Sequence, residues 1–190
     1  CNNTTFSYLP TSSTTGATFN WSRAAVTGIS NVAATGAGNP AEVLVNTTAA
    51  PVTVTYVYTL SANGCTNPAS YNVTVTVYPT PQLTSTLTPT AICNNGTFSY
   101  TPTSSTSGAT FAWSRAAVVG ISNTAASGTG NVSEVLTNTT TAPVNVTYTY
   151  TVSANGCANA TTYSVVVTVN PTPVLTSTLA PAAICNNATF

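Results

Sequence analysis

The sequence contains no histidine, aspartate, lysine or methionine, and only 2% of its 190 residues are charged. Ordinary globular chains carry about 25% charged residues. Arg23, Arg115, Glu42 and Glu134 hold all of the side-chain charge, and the formal net charge is +0. No basic footprint for nucleic acid exists, and no polybasic segment for anionic lipid. Apolar runs are a few residues long, far short of the roughly 20 that a helical membrane span needs. Neither nucleic-acid binding nor membrane insertion is expected.

The same shortages bear on chemistry. General acid–base catalysis draws on His, Asp, Glu or Lys within reach of substrate. Without histidine a serine triad cannot form. Paired carboxylates for glycoside hydrolysis would require Glu42 and Glu134 to meet, and they stand at equivalent places in different repeats. Two lone carboxylates do not build a Ca²⁺ cage, and no CxxC motif is present for zinc. The expectation is a protein that is not an enzyme, with no cofactor and no metal.

What is abundant is polar without charge. Threonine makes up roughly a fifth of the chain, well above usual composition. It is β-branched and fits a pleated, half-exposed surface. Hydrophobic content of 43% allows a core.

The chain also repeats itself. Cys1-Asn2-Asn3 returns at Cys93 and again at Cys185, a step of 92 residues each time (1 to 93, 93 to 185). Trp21 matches Trp113, Arg23 matches Arg115, Glu42 matches Glu134, and Cys65 matches Cys157. The phase is the same at both ends, which reads as part of a longer array and favours a structural role.

Residues 52–60 alternate strictly. Val52, Val54, Tyr56, Tyr58 and Leu60 share one face, and Thr53, Thr55 and Thr59 the other, which predicts a strand with one buried side. Val144 to Val152 is its copy, with Tyr148 and Tyr150 on the apolar face. Asn63-Gly64 is a hairpin signal, and the alternating run 71–77 predicts the returning strand. Weaker strands are expected at 5–8, 18–22 and 42–46, with a loop over 28–38 that holds at most one short strand. No helical period appears. The pattern predicts an all-β architecture of tandem immunoglobulin-like β-sandwiches in a linear array, with Trp21 and Trp113 as core anchors.

Pro79-Thr80-Pro81 and Pro171-Thr172-Pro173 end the last strand of each repeat and stiffen the connection. Residues 82–88 alternate again and are expected to open the following unit. The units expected are 1–80, a sandwich lacking its first strand; 81–172, a complete sandwich; and 173–190, the start of a third.

Five cysteines invite disulfides, and hence an oxidising, extracellular setting. The expected pairs are Cys1–Cys65 and Cys93–Cys157, each within one repeat, with Cys185 left for a third. Each bond would tie an early strand to the late hairpin and stabilise by about 3–4 kcal/mol. A Cys65–Cys93 bond across the junction and buried free thiols are the alternatives. Arg23 with Glu42, and Arg115 with Glu134, are expected as ion pairs inside each repeat, or else as contacts between domains or chains. Tyr8, Tyr56, Tyr58 and Tyr71 read as sandwich core, or as an aromatic face for glycans. Sequons at Asn3, Asn20, Asn46, Asn72, Asn138 and Asn159 matter if the host glycosylates asparagine. Dense Thr and Ser could carry O-linked sugars.

Several segments together resemble a known family. They are Ile-Cys-Asn-Asn, Phe-x-Trp-Ser-Arg, Glu-Val-Leu-x-Asn-Thr-Thr, Ala-Asn-Gly-Cys and Pro-Thr-Pro. The chain looks like the PKD-like, immunoglobulin-like repeats of very large Bacteroidota surface proteins, such as gliding adhesins and filaments exported by the type IX route. Relatives with a Trp-Asp-Phe-Gly-Asp-like segment are acidic where this chain has Trp21-Ser22-Arg23, so no metal role carries over. The resemblance implies an adhesin stalk or filament shaft at the cell surface. Its partners would be neighbouring repeats, other copies of the fibre, and glycans or surfaces. The competing functions are a multivalent glycan-binding module and a self-assembling filament subunit, in which near-zero charge lets chains pack side by side.

Overall fold

The structure, a computed structural model, describes residues 1–180 and 182–183. Cys185 lies outside the described residues. The first repeat contains β1 (Thr4–Phe6), β2 (Ala17–Arg23), β3 (Ala34–Ala37), β4 (Glu42–Leu44), β5 (Val52–Ala62) and β6 (Cys65–Val77). The second contains β7 (Ile92–Cys93), β8 (Gly96–Tyr100), β9 (Thr110–Arg115) and β10 (Ala126–Thr129). It continues with β11 (Val132–Leu136), β12 (Val144–Ala154), β13 (Cys157–Ala158) and β14 (Tyr163–Asn170). Among the described residues there is no helix.

Each repeat is a sandwich of a large and a small sheet. In the first, the large sheet runs β3-β2-β5-β6 and the small one β1-β4. In the second, the large sheet runs β10-β9-β12-β14-β7, with β13 on β12, and the small one β11-β8. Alternation explains the layers. Val54, Tyr56 and Tyr58 of β5 are buried, and the intervening threonines face outward. Tyr56 packs its ring on Phe6 at 4.9 Å and on Trp21 at 5.4 Å, which joins the two sheets. Trp21 is 7% exposed and lies over Gly36 of the neighbouring strand, where a Cβ would come within 2.6 Å of the indole.

The hairpin of β5 and β6 is longer than the alternation predicts. Pairing runs from Val52↔Val77 to Ala62↔Cys65 around Asn63 and Gly64, both at positive φ. β6 therefore has 13 residues, so its ends stand roughly 40 Å apart at about 3.3 Å per residue. That length governs the cysteines.

Residues 82–88 do not form a ladder strand. The segment runs from the loop that follows β8 to the edge of β14. Thr84 N–H donates to the Thr103 carbonyl beyond β8, and Val166 N–H of β14 donates to the Leu87 carbonyl, at 2.8 Å each. Pro81 and Pro89 flank it, so continuous pairing is blocked at both ends. Its packing is nonetheless with the second repeat: Leu83, 8% exposed, belongs to that core beside Phe98, Tyr100 and Val165. Burial of this kind makes Leu83→Ala cost about 2–3 kcal/mol, confined to the second repeat. In a Trp21→Phe background, Trp113 fluorescence during urea unfolding reports it. Leu175→Ala, at the equivalent exposed position, leaves the midpoint unchanged.

Candidate functional site: a buried ion-pair cluster and a staple between repeats

Alternation along β2 places Arg23 on the inward face, two residues from Trp21. The side chain is 1% exposed and meets Glu42, at the start of β4 in the facing sheet. The pair is bidentate: Nε donates to Oε2 at 2.8 Å and Nη2 to Oε1 at 2.9 Å. Nη1 donates to the Ala24 carbonyl at 3.2 Å and the second Nη2 proton to the Val32 carbonyl at 2.7 Å. Tyr56 Oη–H donates to Glu42 Oε2 at 2.6 Å.

The second repeat rebuilds the cluster. Arg115 donates to Glu134 at 3.0 and 3.1 Å, and Tyr148 donates to Glu134 at 2.6 Å. Four of the five guanidinium N–H groups are bonded in each cluster, which offsets much of the desolvation of the buried pair. The Arg23 guanidinium, with help from Tyr56, holds the Glu42 carboxyl below its ordinary value. Burial opposes the same shift at Glu134, and the bonds from Arg115 and Tyr148 outweigh it. Burial, then the adjacent glutamate, push Tyr56 and Tyr148 up.

Asn46 and Asn138 form a second polar device that the sequence reading placed among the sequons. Asn46 is 4% exposed; its amide donates to the Ala50 and Val77 carbonyls at 2.8 and 2.7 Å, and its Oδ1 accepts from Thr48. Asn138 does the same with Ala142, Val169 and Thr140. Both amide nitrogens are engaged in the fold and are closed to glycosylation in it. The signal was the Asn-Thr-Thr triplet recurring at one phase. Of the tyrosines, Tyr56 and Tyr58 are core, while Tyr8 and Tyr71 are 38% and 48% exposed.

The disulfide differs from expectation. Cys1 is bonded to Cys157, across the repeats, with Cα atoms 5.4 Å apart; Cys65 and Cys93 are exposed free thiols. The expected Cys1–Cys65 and Cys93–Cys157 pairs fail on distance. Cys65 opens β6 at the hairpin tip. Asn2 bonds Thr80 and the Asn46 N–H, and so fixes Cys1 at the far end of that strand. Bridging needs Cα atoms within about 7 Å. End-to-end stacking instead sets the Cys1 end of the first repeat against the Asn155-Gly156 tip of the second. Asn159 Nδ2 secures the junction by donating to the Pro81 carbonyl at 2.9 Å. In a chain-entropy treatment, closing a loop of 156 residues stabilises by about 5 kcal/mol.

Among the described residues there is no group of three or more His, Cys, Asp or Glu that could hold a metal ion, and no helix long and apolar enough to cross a membrane. Paired sandwiches, a repeated internal ion pair and a cross-repeat staple define a tandem β-sandwich protein. The family model for the PKD-like domain matches residues 1–81 and again 90–173, and the chain belongs to that family. No curated protein matches it. Among solved structures it is similar to the zebrafish RET cadherin-like domains 1 to 4, at 12% identity and a TM-score of 0.24. The match covers 84% of this chain and 42% of that one, and at that score it carries no argument.

Replacing Glu42 by Gln leaves Arg23 buried without its counter-charge and destabilises the first repeat by about 3–5 kcal/mol. The pH profile follows from the shifts. A lowered glutamate value gives stability that is present above 4.5 and lost as pH falls through the folded value. The raised tyrosines give stability present below 10.0 and lost at higher pH. Urea midpoints are therefore level from about pH 6 to 9 and fall on both sides. The double variant Glu42→Gln, Glu134→Gln removes most of the acid limb.

Proposed function

We propose that the chain is a structural repeat segment of a long extracellular fibre or adhesin stalk, and that its work is to extend, space and resist unfolding. The observation that carries the reading is the Cys1–Cys157 bond, because it changes the path of a pulling force. Load applied at the two ends of the chain passes from Cys1 directly to Cys157. Residues 2–156 are bypassed and cannot extend while the bond holds. A tether that must keep its length under load is served by such a bond, and a single-domain binding module has no use for it.

Other features support the same reading. PKD-like domains are usually extracellular, and a disulfide fits an oxidising compartment. Polarity comes from threonine, serine and asparagine, so stability depends little on salt or on pH near neutrality. A gliding-adhesin or surface-filament setting, with type IX export, is part of this proposal, as are neighbouring repeats and fibre copies as partners. The glycan-face alternative draws on Tyr8 and Tyr71. Of their equivalents in the second repeat, Tyr100 is 5% exposed and Tyr163 is half-buried against the core. That favours a protein-covered face over a carbohydrate platform.

Single-molecule pulling at the two termini tests the mechanical role. Oxidised protein yields a total extension of about 120 Å, from residues 157–190 alone, and reduced protein about 650 Å. Equal extensions before and after reduction would contradict it.

A further inference from the structure

The bond between the repeats closes a small ring of contacts around the linker. Cys1 leads directly to Asn2, whose Nδ2 donates to Thr80 Oγ1 at 3.2 Å. Thr80 leads to Pro81, whose carbonyl accepts from Asn159 Nδ2 at 2.9 Å. Asn159 stands two residues after Cys157, and Cys157 returns to Cys1 through the disulfide. Two side-chain amides, one from each repeat, hold adjacent residues of one linker, and each stands beside a bonded cysteine.

Both amides are aimed by their own repeat. Asn2 Oδ1 accepts from the Asn46 N–H at 2.7 Å, which turns its Nδ2 toward the linker. Asn159 Oδ1 accepts from the Thr161 N–H, and its Nδ2 also donates to Tyr163 Oη, at 2.9 Å each. The first arrangement recurs 92 residues on, where the Asn138 N–H donates to Asn94 Oδ1 at 2.7 Å and Asn94 Nδ2 to Thr172 Oγ1 at 3.1 Å. The second recurs at Asn67, with the Ala69 N–H at 2.9 Å and Tyr71 Oη at 3.0 Å. The linker is just as prepared. Pro79 and Pro81 are buried. Their rings fix φ, and the proline after Thr80 holds Thr80 extended. Neither proline has an N–H, so what the linker offers between them is acceptors.

We infer that Asn159 is the positioning residue for the cross-repeat bond. It grips Pro81 while Asn2 grips Thr80, and the stiff linker between them acts as a template that sets Cys1 against Cys157. Local sequence cannot make that choice, because Ala-Asn-Gly-Cys stands at 62–65 and again at 154–157. The linker can, because it leaves the last strand of one repeat and docks on the hairpin tip of the next. The bond forms by exchange with oxidised glutathione. The Cys1 thiolate attacks it and releases one glutathione thiolate. The Cys157 thiolate then attacks the Cys1 sulfur of the mixed disulfide and releases the second. Two protein thiols are oxidised, one glutathione disulfide is reduced to two thiols, and the two protons pass to the released thiolates. The ring acts on the second step, which is intramolecular and depends on how often the two sulfurs meet. This goes beyond the stalk reading and does not need it: the ring governs which bond forms, whatever load the bond later carries.

The test uses the full chain with Cys65→Ser, Cys93→Ser and Cys185→Ser, so that one pair remains. Reduced and oxidised fractions at fixed glutathione ratios give the effective concentration of Cys1 for Cys157. Asn159→Asp keeps an acceptor for the Thr161 N–H and Tyr163 Oη but offers the Pro81 carbonyl no proton. At neutral pH it should lower the effective concentration about tenfold or more. Thr80→Val frees Asn2 Nδ2 without touching its bond to Asn46, and should lower the value about threefold. Because the two contacts act in series, the double variant should stay within about twofold of Asn159→Asp alone. Thr172→Val, at the position 92 residues on, should change nothing. Urea midpoints of the reduced proteins should match, which separates positioning from folding. If Asn159→Asp lowers that midpoint, Thr80→Val decides alone. An effective concentration unchanged by Thr80→Val, or by Asn159→Asp in a protein that still folds, overturns the inference. So do losses that multiply in the double variant.

Discussion

The returning arm of each hairpin, β6 in the first repeat and β13 with β14 in the second, keeps the two cysteines of each repeat at opposite ends of their sandwich, and most of the molecule's organisation follows from that separation. With roughly 40 Å between them, neither repeat can staple itself. Each repeat instead offers one sulfur at its hairpin tip and one at its far end. Stacking tip to end brings sulfurs of successive repeats together, as Cys1 and Cys157 are. The staple therefore sits at the junction, where hydrogen bonds are few, and the interiors hold by other means.

Those other means are economical. The Arg23–Glu42–Tyr56 and Arg115–Glu134–Tyr148 clusters cross between the two sheets, and Asn46 and Asn138 pin the turns beside the last strand. A buried pair of this kind adds specificity more than net stability, because desolvation offsets much of the attraction. In a chain with almost no other charge, the specificity is unusually clean. Each repeat holds no other carboxylate or cation, so within its own repeat Arg23 has only Glu42 to pair with in a register-shifted state.

Much of this was legible in the sequence, for physical reasons. The alternation at 52–60 and 71–77 and the Asn63-Gly64 turn imply a hairpin, and the lone Arg and Glu of each repeat stand where the two sheets meet. The disulfide was not legible, because a spacing of 64 positions says nothing of whether the chain between doubles back. Here β6 runs on from Tyr71 back to Cys65, through residues with little alternation, and carries the sulfur to the tip. Residues 82–88 misled in the opposite sense. Their alternation is real, but it buries Leu83 alone and makes single backbone bonds, one to the loop after β8 and one to β14, rather than a ladder. The role of Asn46 was hidden in a triplet that also reads as a glycosylation signal.

The central claim is the connectivity between repeats, and the sparse charge makes it simple to measure. Trypsin has two cleavage sites, after Arg23 and Arg115. In Cys185→Ser protein with free thiols blocked, the cross-repeat bond joins peptide 1–23 to peptide 116–190 and leaves 24–115 separate, with Cys65 and Cys93 alkylated. Mass spectrometry of the unreduced digest should find that pair. All three peptides held in one species, by Cys1–Cys65 and Cys93–Cys157, would contradict the account.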